Sequence, residues 1–200
     1  MGPIAVLALQ GDVREHVATL TALGIETITV KKPADLVGIS GLVIPGGEST
    51  VIDKLSRIFG LASPIKNLIR QGLPVFGTCA GLIMLANSIS DGTSDQQTFG
   101  GLHSVVRRNA YGSQVDSFES ELDFADVGVV KAAFIRAPIV ESVGDGVSVL
   151  ARYEDEIVGI RQGNLLGISF HPEVVGETKV HRYFAEMCKS AKFLASNYNN

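Results

Sequence analysis

The 200-residue chain has no tryptophan, two cysteines, and charged side chains at 19% of its positions. Two thiols, at Cys79 and Cys188, cannot form the disulfide framework of a small secreted domain. A formal net charge of −4 argues against a basic protein that coats nucleic acid. No segment approaches the roughly 20 apolar residues of a membrane span, and the N-terminus lacks the basic segment of a signal peptide. We therefore expect a soluble, cytoplasmic protein that binds neither nucleic acid nor membranes.

Hydrophobic residues make up 46% of the chain, which is enough for a sizeable core. A length of 200 residues fits one compact domain, so we predict a single domain over residues 1–200. The 22 glycines exceed the average share of about 7% and show no collagen-like period. We expect the additional glycines in tight turns.

Apolar runs of strand length alternate with helical patterns in the first half of the chain. The predicted strands there are Ile4–Leu9, Glu26–Val30, Gly41–Ile44 and Pro74–Gly77. The predicted helices are Val13–Leu23, Ser49–Phe59, a helix from Pro64 to Gln71 with Ser63 as its N-cap, and Ala80–Ala86. After Asp91 the pattern predicts strands at Leu102–Arg107, Gln114–Glu119, Lys131–Ile135, Val147–Tyr153, Ile157–Arg161 and Leu165–Phe170, then a helix from Glu177 to Ala195. This order predicts an α/β fold with a mostly parallel central sheet flanked by helices and a strand-rich second half.

A strand, a Gly-x-Cys-x-Gly turn and a helix follow one another in PVFGTCAGLIMLA, residues 74–86. This is the pattern of a nucleophile elbow, with Cys79 in the place of the nucleophile. Gly77 and Gly81 remove side chains where strand and helix crowd together, and the helix N-terminus stabilises a thiolate. The amide of Ala80 is placed to stabilise an oxyanion. A buried structural cysteine is the alternative, but the two glycines favour a nucleophile.

A candidate base follows the predicted strand that ends at Phe170. His171 and Glu173 are two residues apart in extended chain and therefore project to the same side. The carboxylate can then hold one ring nitrogen of the imidazole while the other nitrogen faces a thiol. An incidental ion pair at a strand end is the alternative. Together with the elbow, however, the pair predicts a triad of Cys79, His171 and Glu173.

The segment VIPGGEST, residues 43–50, is a strand that ends in two glycines before a helix. Gly46 and Gly47 can offer backbone amides to an oxyanion, and Ser49 can also cap the helix. The pattern of a phosphate loop, GxxxxGK[ST], is absent. No metal-ligand spacing is present, because the other histidines are isolated and are expected on the surface: His16, His103 and His181. Cys188 belongs to an apolar stripe of the last helix and is expected in the core.

Three segments in this order, PGGES, GTCAG and SFHPE, resemble the class I (triad-type) glutamine amidotransferases. More narrowly, the chain resembles the glutaminase subunit of the two-component pyridoxal 5′-phosphate synthase. This resemblance rests on LALQGDVREH, on RRNAYG followed by QVDSFE, and on FIRAP. It runs from Ile4 to about Met187 and implies a flavodoxin-like fold.

The resemblance implies that Cys79 attacks the carboxamide carbon of L-glutamine, with His171 as base and then acid, and Glu173 orienting the imidazole. A γ-glutamyl thioester forms, ammonia leaves, and water releases glutamate. The resemblance places oxyanion-hole amides at Gly46, Gly47 and Ala80. It places the remaining glutamine contacts at Gly47, Glu48, Ser49, Arg108, Ile135 and Arg136. It implies no cofactor.

The resemblance also implies a partner, a synthase subunit of the TIM-barrel type that receives the ammonia in a hetero-oligomeric complex. Glutaminase activity is then weak until the partner docks, and Gln10 is expected at the interface. The sequence departs from the family's usual pattern at Ser113, where arginine is common, and at His103, where a small or apolar residue is usual. A partner or substrate contact through position 113 is therefore not implied.

Three alternatives remain open. The chain could be an autonomous cysteine hydrolase or peptidase, another class I amidotransferase that serves a different synthase, or a non-catalytic binding protein. Glu48, Arg108 and Arg136 suit a free amino acid better than a peptide. The complete triad argues against a non-catalytic protein.

Overall fold

The computed structural model describes residues 1–93, 95–108, 117–191 and 193. The helices in this part of the chain are α1 (Val13–Ala22), α2 (Ser49–Ile58), α3 (Ala62–Arg70), α4 (Ala80–Leu85) and α5 (Lys179–Ser190), with a 3-10 helix at Pro33–Leu36. The strands are β1 (Ile4–Leu7), β2 (Thr27–Val30), β3 (Gly41–Ile44), β4 (Val75–Thr78), β5 (Ala86–Ile89), β6 (Leu102–Arg107), β7 (Phe118–Phe124), β8 (Gly128–Phe134), β9 (Ile139–Val143), β10 (Ser148–Tyr153), β11 (Glu156–Gln162) and β12 (Leu165–Ile168).

The strands form one mixed sheet whose central part is parallel. The order β2-β1-β3-β4-β12 is parallel throughout. From β12 the sheet continues through antiparallel neighbours β11, β10, β7 and β8. A branch leaves β11 through β9 and β6 and ends at β5. The parallel first half, the strand-rich second half and the flanking helices confirm the predicted fold class.

Helices cover both faces of the parallel strands. Side chains alternate between the two faces of a strand, and the apolar residues of β1 accordingly enter two separate clusters. Ala5 packs in the cluster that contains Leu82 of α4. Ile4 packs in the cluster that contains Leu20 of α1 and Phe184 of α5. None of the helices among the described residues is both long and apolar enough to cross a membrane.

Several element boundaries differ from the sequence predictions. Strands β5 and β9 were not predicted, and Ala86 begins β5 rather than ending α4. Helix α3 begins at Ala62, before the predicted Ser63 cap, because the buried Leu61 accepts its first hydrogen bond, from Ile65. Helix α5 begins at Lys179, and Lys192 and residues 194–195 of its predicted end lie outside the described residues. Residues 114–116 of the predicted strand Gln114–Glu119 also lie outside them.

Candidate active site

Cys79 occupies the turn between β4 and α4, with φ 48° and ψ −103°. A side chain rarely tolerates positive φ, and such a conformation costs about 1–3 kcal/mol when the surroundings enforce it. The amide of Cys79 donates to the carbonyl of Ile168, at 2.8 Å, which ties the turn to β12. The cysteine is therefore held in a strained strand–turn–helix arrangement, the form of a nucleophile elbow.

The two glycines that flank the turn are required by close packing. A Cβ atom at Gly77 would lie 2.4 Å from the carbonyl atoms of Gly81. A Cβ atom at Gly81 would lie 2.0 Å from the carbonyl oxygen of Ile44 in β3. Neither position can take a larger side chain without a shift of the backbone, because both obstacles are backbone atoms. The Gly-x-Cys-x-Gly spacing thus follows from the packing of α4 against β3 and β4.

His171 and Glu173 form a buried pair just after β12. The amide of His171 donates to the carbonyl of Ala133 at 2.8 Å, which fixes the backbone against β8. Nδ1 of His171 lies 2.8 Å from Oε1 of Glu173, and the two residues are 3% and 6% exposed. An ionised carboxylate can only accept a hydrogen bond, so Nδ1 carries the proton. The other ring nitrogen, Nε2, is then available to Cys79.

The pKa of His171 reflects its neighbours more than its burial. Burial by itself lowers this pKa, but hydrogen bonds with Asp12, Cys79 and Glu173 raise it to about 12. The imidazole is therefore protonated at neutral pH. Burial raises the pKa of the Glu173 carboxyl, and the hydrogen bond with His171 acts in the opposite direction. A positive charge beside a thiol favours the thiolate form.

Asp12 is a second carboxylate at the same imidazole. Its Oδ2 lies 3.3 Å from Nδ1 of His171, and its side chain is 37% exposed. The amide of Asp12 donates to the carbonyl of Gly46 at 3.2 Å, so the loop after β1 is joined to the loop after β3. The sequence analysis missed Asp12. Its position just after β1 could have indicated a role in the site, because the carboxyl ends of adjacent parallel strands meet at one edge of the sheet.

A cavity of about 350 Å³ lies over Cys79 and His171. This volume is within the range of small-molecule sites, roughly 300–1,000 Å³. The cavity is lined by Gln10, Asp12, Gly47, Glu48, Ser49, Cys79, Ile83, Arg108, Ile135, Arg136 and His171. The structure thus brings every predicted glutamine contact, and Gln10, to one cavity. Gly46 and Ala80, the other predicted oxyanion residues, are buried, and each is next in sequence to a lining residue.

Arg108 is linked to Ser49 through Gln96, a residue that the sequence analysis missed. Nη1 of Arg108 donates to Oε1 of Gln96 at 3.1 Å, and Nε2 of Gln96 donates to the Ser49 hydroxyl at 2.9 Å. Arg108 also donates through Nη2 to the carbonyl of Asp91 at 3.1 Å. Ser49 does not cap α2, whose N-cap is Glu48. These contacts hold the guanidinium at one side of the cavity.

Arg136 and Glu48 form an open ion pair at the cavity. Nη1 of Arg136 lies 3.9 Å from Oε1 of Glu48, and the side chains are 68% and 65% exposed. An exposed pair of this kind contributes about 0–1 kcal/mol to stability, so both groups can exchange partners readily. Arg136 has φ 47°, an unfavourable backbone conformation next to Ile135. The carbonyl of Ile135 lies 4.0 Å from Sγ of Cys79.

The side chain of Gln10 is bonded to the glycine turn after β3. Its Oε1 accepts a hydrogen bond from the amide of Glu48 at 2.7 Å. A Cβ atom at Gly47, where φ is 150°, would lie 2.3 Å from the same oxygen. The Gln10 carboxamide therefore packs directly against the turn and occupies one of its amides.

The prediction that the remaining histidines lie on the surface is wrong for His16 and His181, which are both 0% exposed. The two imidazoles hydrogen-bond to each other, and His16 also lies beside Glu173. His103 is exposed, as predicted. Among the residues that the structure describes, two groups of three have possible metal-ligand atoms within 4.8 Å of one another, namely His16, Glu173 and His181, and Asp12, His171 and Glu173. We interpret both groups as hydrogen-bonded networks, because their ring nitrogens already bond to one another, to Thr78 or to a carboxylate.

A parallel sheet with a cysteine at its elbow, and a histidine–glutamate pair beside it, is the arrangement of the class I glutamine amidotransferases. Residues 6–190 match the SNO glutamine amidotransferase family, and the chain belongs to that family. This membership confirms the class indicated by the sequence motifs.

The chain is similar to proteins called pyridoxal 5′-phosphate synthase subunit PdxT. It is 59% identical over 194 residues to the one from Clavibacter michiganensis subsp. michiganensis, covering 95% of this chain and 93% of the relative. It is 57% identical over 190 residues to the one from Nocardioides sp., covering 92% and 94%. A solved glutamine amidotransferase is 46% identical, with a TM-score of 0.89, over 94% of this chain and 100% of the solved chain.

Part of the motif evidence falls outside the described residues. Ser113 lies there, as do residues 114–116 of the QVDSFE segment. The departure from the family pattern at position 113 therefore has no structural account.

Proposed function

We propose that the chain is the glutaminase subunit of a pyridoxal 5′-phosphate synthase. It hydrolyses L-glutamine to L-glutamate and ammonia, and the ammonia passes to a synthase subunit. The names of the relatives support this assignment. The observation that carries it is that Cys79, His171 and both arginines, Arg108 and Arg136, line one cavity.

The proposed reaction uses Cys79 as the nucleophile. The thiolate attacks the γ-carboxamide carbon of glutamine, and the carbonyl oxygen becomes an oxyanion. Protonated His171 gives its proton to the leaving nitrogen, so ammonia departs and a γ-glutamyl thioester remains. His171 then accepts a proton from water, whose oxygen attacks the thioester. Glutamate is released and the thiolate is restored.

Two sets of fixed groups assist these steps. Glu173 bonds to Nδ1 of His171 at 2.8 Å and so directs Nε2 of the imidazole to the reaction. The amide of Ala80, which follows Cys79 in the turn, supplies one donor for the oxyanion, and the amide of Gly47 in the cavity wall supplies a second once the partner has docked. Preorganised donors of this kind contribute roughly 100-fold to 1,000-fold in rate each.

The charges around the cavity suit a free amino acid. Glutamine carries an α-carboxylate and an α-ammonium group on one carbon atom. Arg136 and Glu48 present a cation and an anion whose nearest charged atoms are 3.9 Å apart, and Arg108 adds a second guanidinium. A guanidinium binds a carboxylate through two parallel hydrogen bonds. A peptide chain offers no such pair of charges, which makes a peptidase the weaker assignment.

The product chemistry requires a partner. Ammonia becomes mostly ammonium in neutral water and then loses its nucleophilic lone pair, so it needs a sheltered path to the next reaction. We propose a synthase subunit of the TIM-barrel type as the receiver, in a cytoplasmic complex. Gln10 is proposed at the interface, because its carboxamide holds the amide of Glu48 at 2.7 Å next to the oxyanion turn. Docking that draws Gln10 away would free this turn to rearrange.

The central experiment measures glutamate release from glutamine with and without the synthase subunit. Strong stimulation by the partner is expected, whereas equal rates would favour an autonomous hydrolase. Cys79→Ser should lower the stimulated rate by about a thousand-fold or more, as loss of a triad member does in other enzymes. Full activity of that variant would overturn the mechanism. Gln10→Ala should alter the ratio of stimulated to basal rate, and an unchanged ratio with unchanged complex formation would remove Gln10 from the interface.

A further inference from the structure

Behind the triad lies a chain of buried polar groups that the reaction does not use. His16 of α1 has Nδ1 at 2.9 Å from Nε2 of His181 in α5. Its other ring nitrogen, Nε2, is 3.1 Å from the hydroxyl of Thr78 and 3.4 Å from Oε1 of Glu173. His16, Thr78 and His181 are all 0% exposed. The chain therefore runs from α5 through α1 to the carboxylate of the triad, within the core.

Both imidazoles of this chain are neutral at neutral pH. Burial, with smaller contributions from the charges of His181 and His171, lowers the pKa of His16 well below its ordinary value. Burial lowers the pKa of His181 to about 4. A neutral imidazole has one N–H donor and one acceptor nitrogen. Each ring therefore has two possible hydrogen positions, and the hydrogen bond between the rings couples the two choices.

Two arguments select the same arrangement of hydrogens. An unprotonated Nε2 of His16 would direct a lone pair at the Glu173 carboxylate, whereas a protonated one directs a donor at it. Among the residues that the structure describes, Nδ1 of His181 has no hydrogen-bond partner. A buried donor without an acceptor is costly, so the proton of His181 belongs on Nε2. His181 then donates to Nδ1 of His16, and Nε2–H of His16 bonds to the Thr78 hydroxyl with Oε1 of Glu173 3.4 Å from the same nitrogen.

We propose that His16 and His181 are positioning residues of the triad, aligned so that the positive end of each N–H points towards Glu173 and keeps its carboxylate ionised. The inference rests on the proposed glutaminase reaction. An ionised Glu173 accepts from Nδ1 of His171, which holds the protonated imidazole beside Cys79. A protonated Glu173 is neutral and no longer stabilises the positive imidazole.

The other charged groups around Glu173 make this support necessary. His171 faces the carboxylate from the loop after β12 and stabilises its ionised form. Asp12 faces it from the loop after β1, and its negative charge together with burial raises the pKa of Glu173. From α1 the neighbour is the uncharged His16, which also bonds to the hydroxyl of Thr78 in β4. The N–H of His16 is thus the group through which α1 and α5 stabilise the ionised carboxylate of Glu173.

The test compares His16→Leu with His16→Gln. Glutamine can place an amide N–H near the former Nε2, whereas leucine has no donor. The first measurement is the rate of Cys79 alkylation by iodoacetamide in the isolated subunit, as a function of pH. The second is the pH dependence of kcat for glutamate release in the complex with the synthase subunit. Cys188→Ala is the matched control, because it disturbs α5 in the core without contacting Glu173.

In His16→Leu the acid limb of both profiles should move to higher pH by about one unit, a factor of ten in the ionisation of Glu173, because the N–H dipole 3.4 Å from Oε1 is lost. His16→Gln should restore most of the shift, and Cys188→Ala should show none. A purely structural role would lower stability in His16→Leu and Cys188→Ala alike and leave both acid limbs in place, which overturns the proposal. So would an equal shift in His16→Gln and His16→Leu.

A second pair of variants provides the test if the first pair misfolds. If His16→Leu does not fold, His181→Leu and His181→Gln carry the same test, because the N–H of His181 polarises the His16 ring and makes its Nε2–H a stronger positive end towards Glu173. The shift should then appear in His181→Leu and be smaller in His181→Gln. The alkylation profile needs neither glutamine nor partner. The alkylation profile therefore tests the role of the two histidines even if the complex releases no glutamate. Absence of glutamate release would refute the proposed function, not the role of the histidines.

Discussion

Replacing Gly46 by alanine is expected to disable the proposed active site through a steric contact alone. A Cβ atom at position 46 would lie 2.2 Å from Cε1 and 2.9 Å from Nδ1 of His171. It would also lie 2.9 Å from Oδ2 of Asp12. Carbon atoms in contact are about 3.5–4.0 Å apart, so a group must move by more than about 1 Å. The imidazole moves more easily than the Gly46 backbone, whose carbonyl accepts a hydrogen bond from Asp12.

The size of the effect follows from this displacement. A misplacement of about 1 Å at a reacting group can cost roughly 100-fold in rate, and loss of a triad residue costs about a thousand-fold or more. We therefore expect Gly46→Ala to lower kcat for glutamate release by roughly 100-fold to 1,000-fold in the complex. Overpacking in a well-packed region costs about 1–3 kcal/mol, which urea-induced unfolding of the subunit can measure.

Gly128→Ala is the control for this variant. Gly128 has φ 86°, and no atom of the described part of the chain lies within 4 Å of an added Cβ, so the substitution adds backbone strain without a collision there. It should lower the free energy of unfolding by about 1 kcal/mol and leave kcat unchanged. If Gly46→Ala folds and turns over glutamine as fast as the wild type, the steric argument is refuted and the glycine is not needed beside the imidazole.

Three further predictions concern the cysteines, a buried histidine and a core glycine. A glutamine-analogue electrophile should label Cys79 and spare Cys188, because burial raises the pKa of the Cys188 thiol to about 12; peptide mapping that finds mainly Cys188 labelled would identify the wrong nucleophile. Burial lowers the pKa of His181 from an ordinary 6.5 to about 4 in the folded protein. As the pH falls, the unfolded chain therefore takes up this proton before the folded protein does. The free energy of unfolding should decrease by about 3 kcal/mol between pH 6.5 and pH 4. Urea unfolding of His181→Gln should show a shallower loss over that window, and equal slopes would contradict the assignment. Gly41→Ala, whose Cβ would lie 2.4 Å from Sγ of Cys188 and 3.1 Å from Cζ of Phe184, should lower the melting temperature but not kcat.

Local patterns were sufficient to predict the parts of the site that lie close together in the chain. The turn around Cys79 has a steric requirement for small residues at positions 77 and 81, and that requirement is visible as two glycines. His171 and Glu173 are two residues apart in extended chain, so their proximity follows from strand geometry. The alternation of apolar runs and helical periods likewise predicted the parallel sheet, because each pattern extends over several residues.

The parts that sequence patterns missed depend on contacts between distant segments. Strand β5 has a polar, half-exposed sequence and forms because β6 pairs with it, so no local period marks it. Gln96 acquires its role from Arg108 and Ser49, which are 12 and 47 residues away. His16 and His181 are 165 residues apart, and each lies in an amphipathic helix among both charged and apolar residues. A lone histidine at such a position is as compatible with solvent as with the core.

The three histidines near Glu173 show why residue type and burial do not determine chemistry. His171 and His181 are 3% and 0% exposed, and yet the pKa of the first is raised to about 12 while that of the second is lowered to about 4. His171 bonds to carboxylates, so its positive form is stabilised; His181 bonds to a neutral imidazole, so burial prevails. His16 lies between the two environments and stays neutral because burial, with smaller contributions from His181 and His171, lowers its pKa. Of the three imidazoles, only that of His171 is charged, and it lies on the side of Glu173 that faces the Cys79 thiol. His16 and His181, on the opposite side of the carboxylate, are neutral. The transferable proton is therefore on His171, where the proposed reaction uses it.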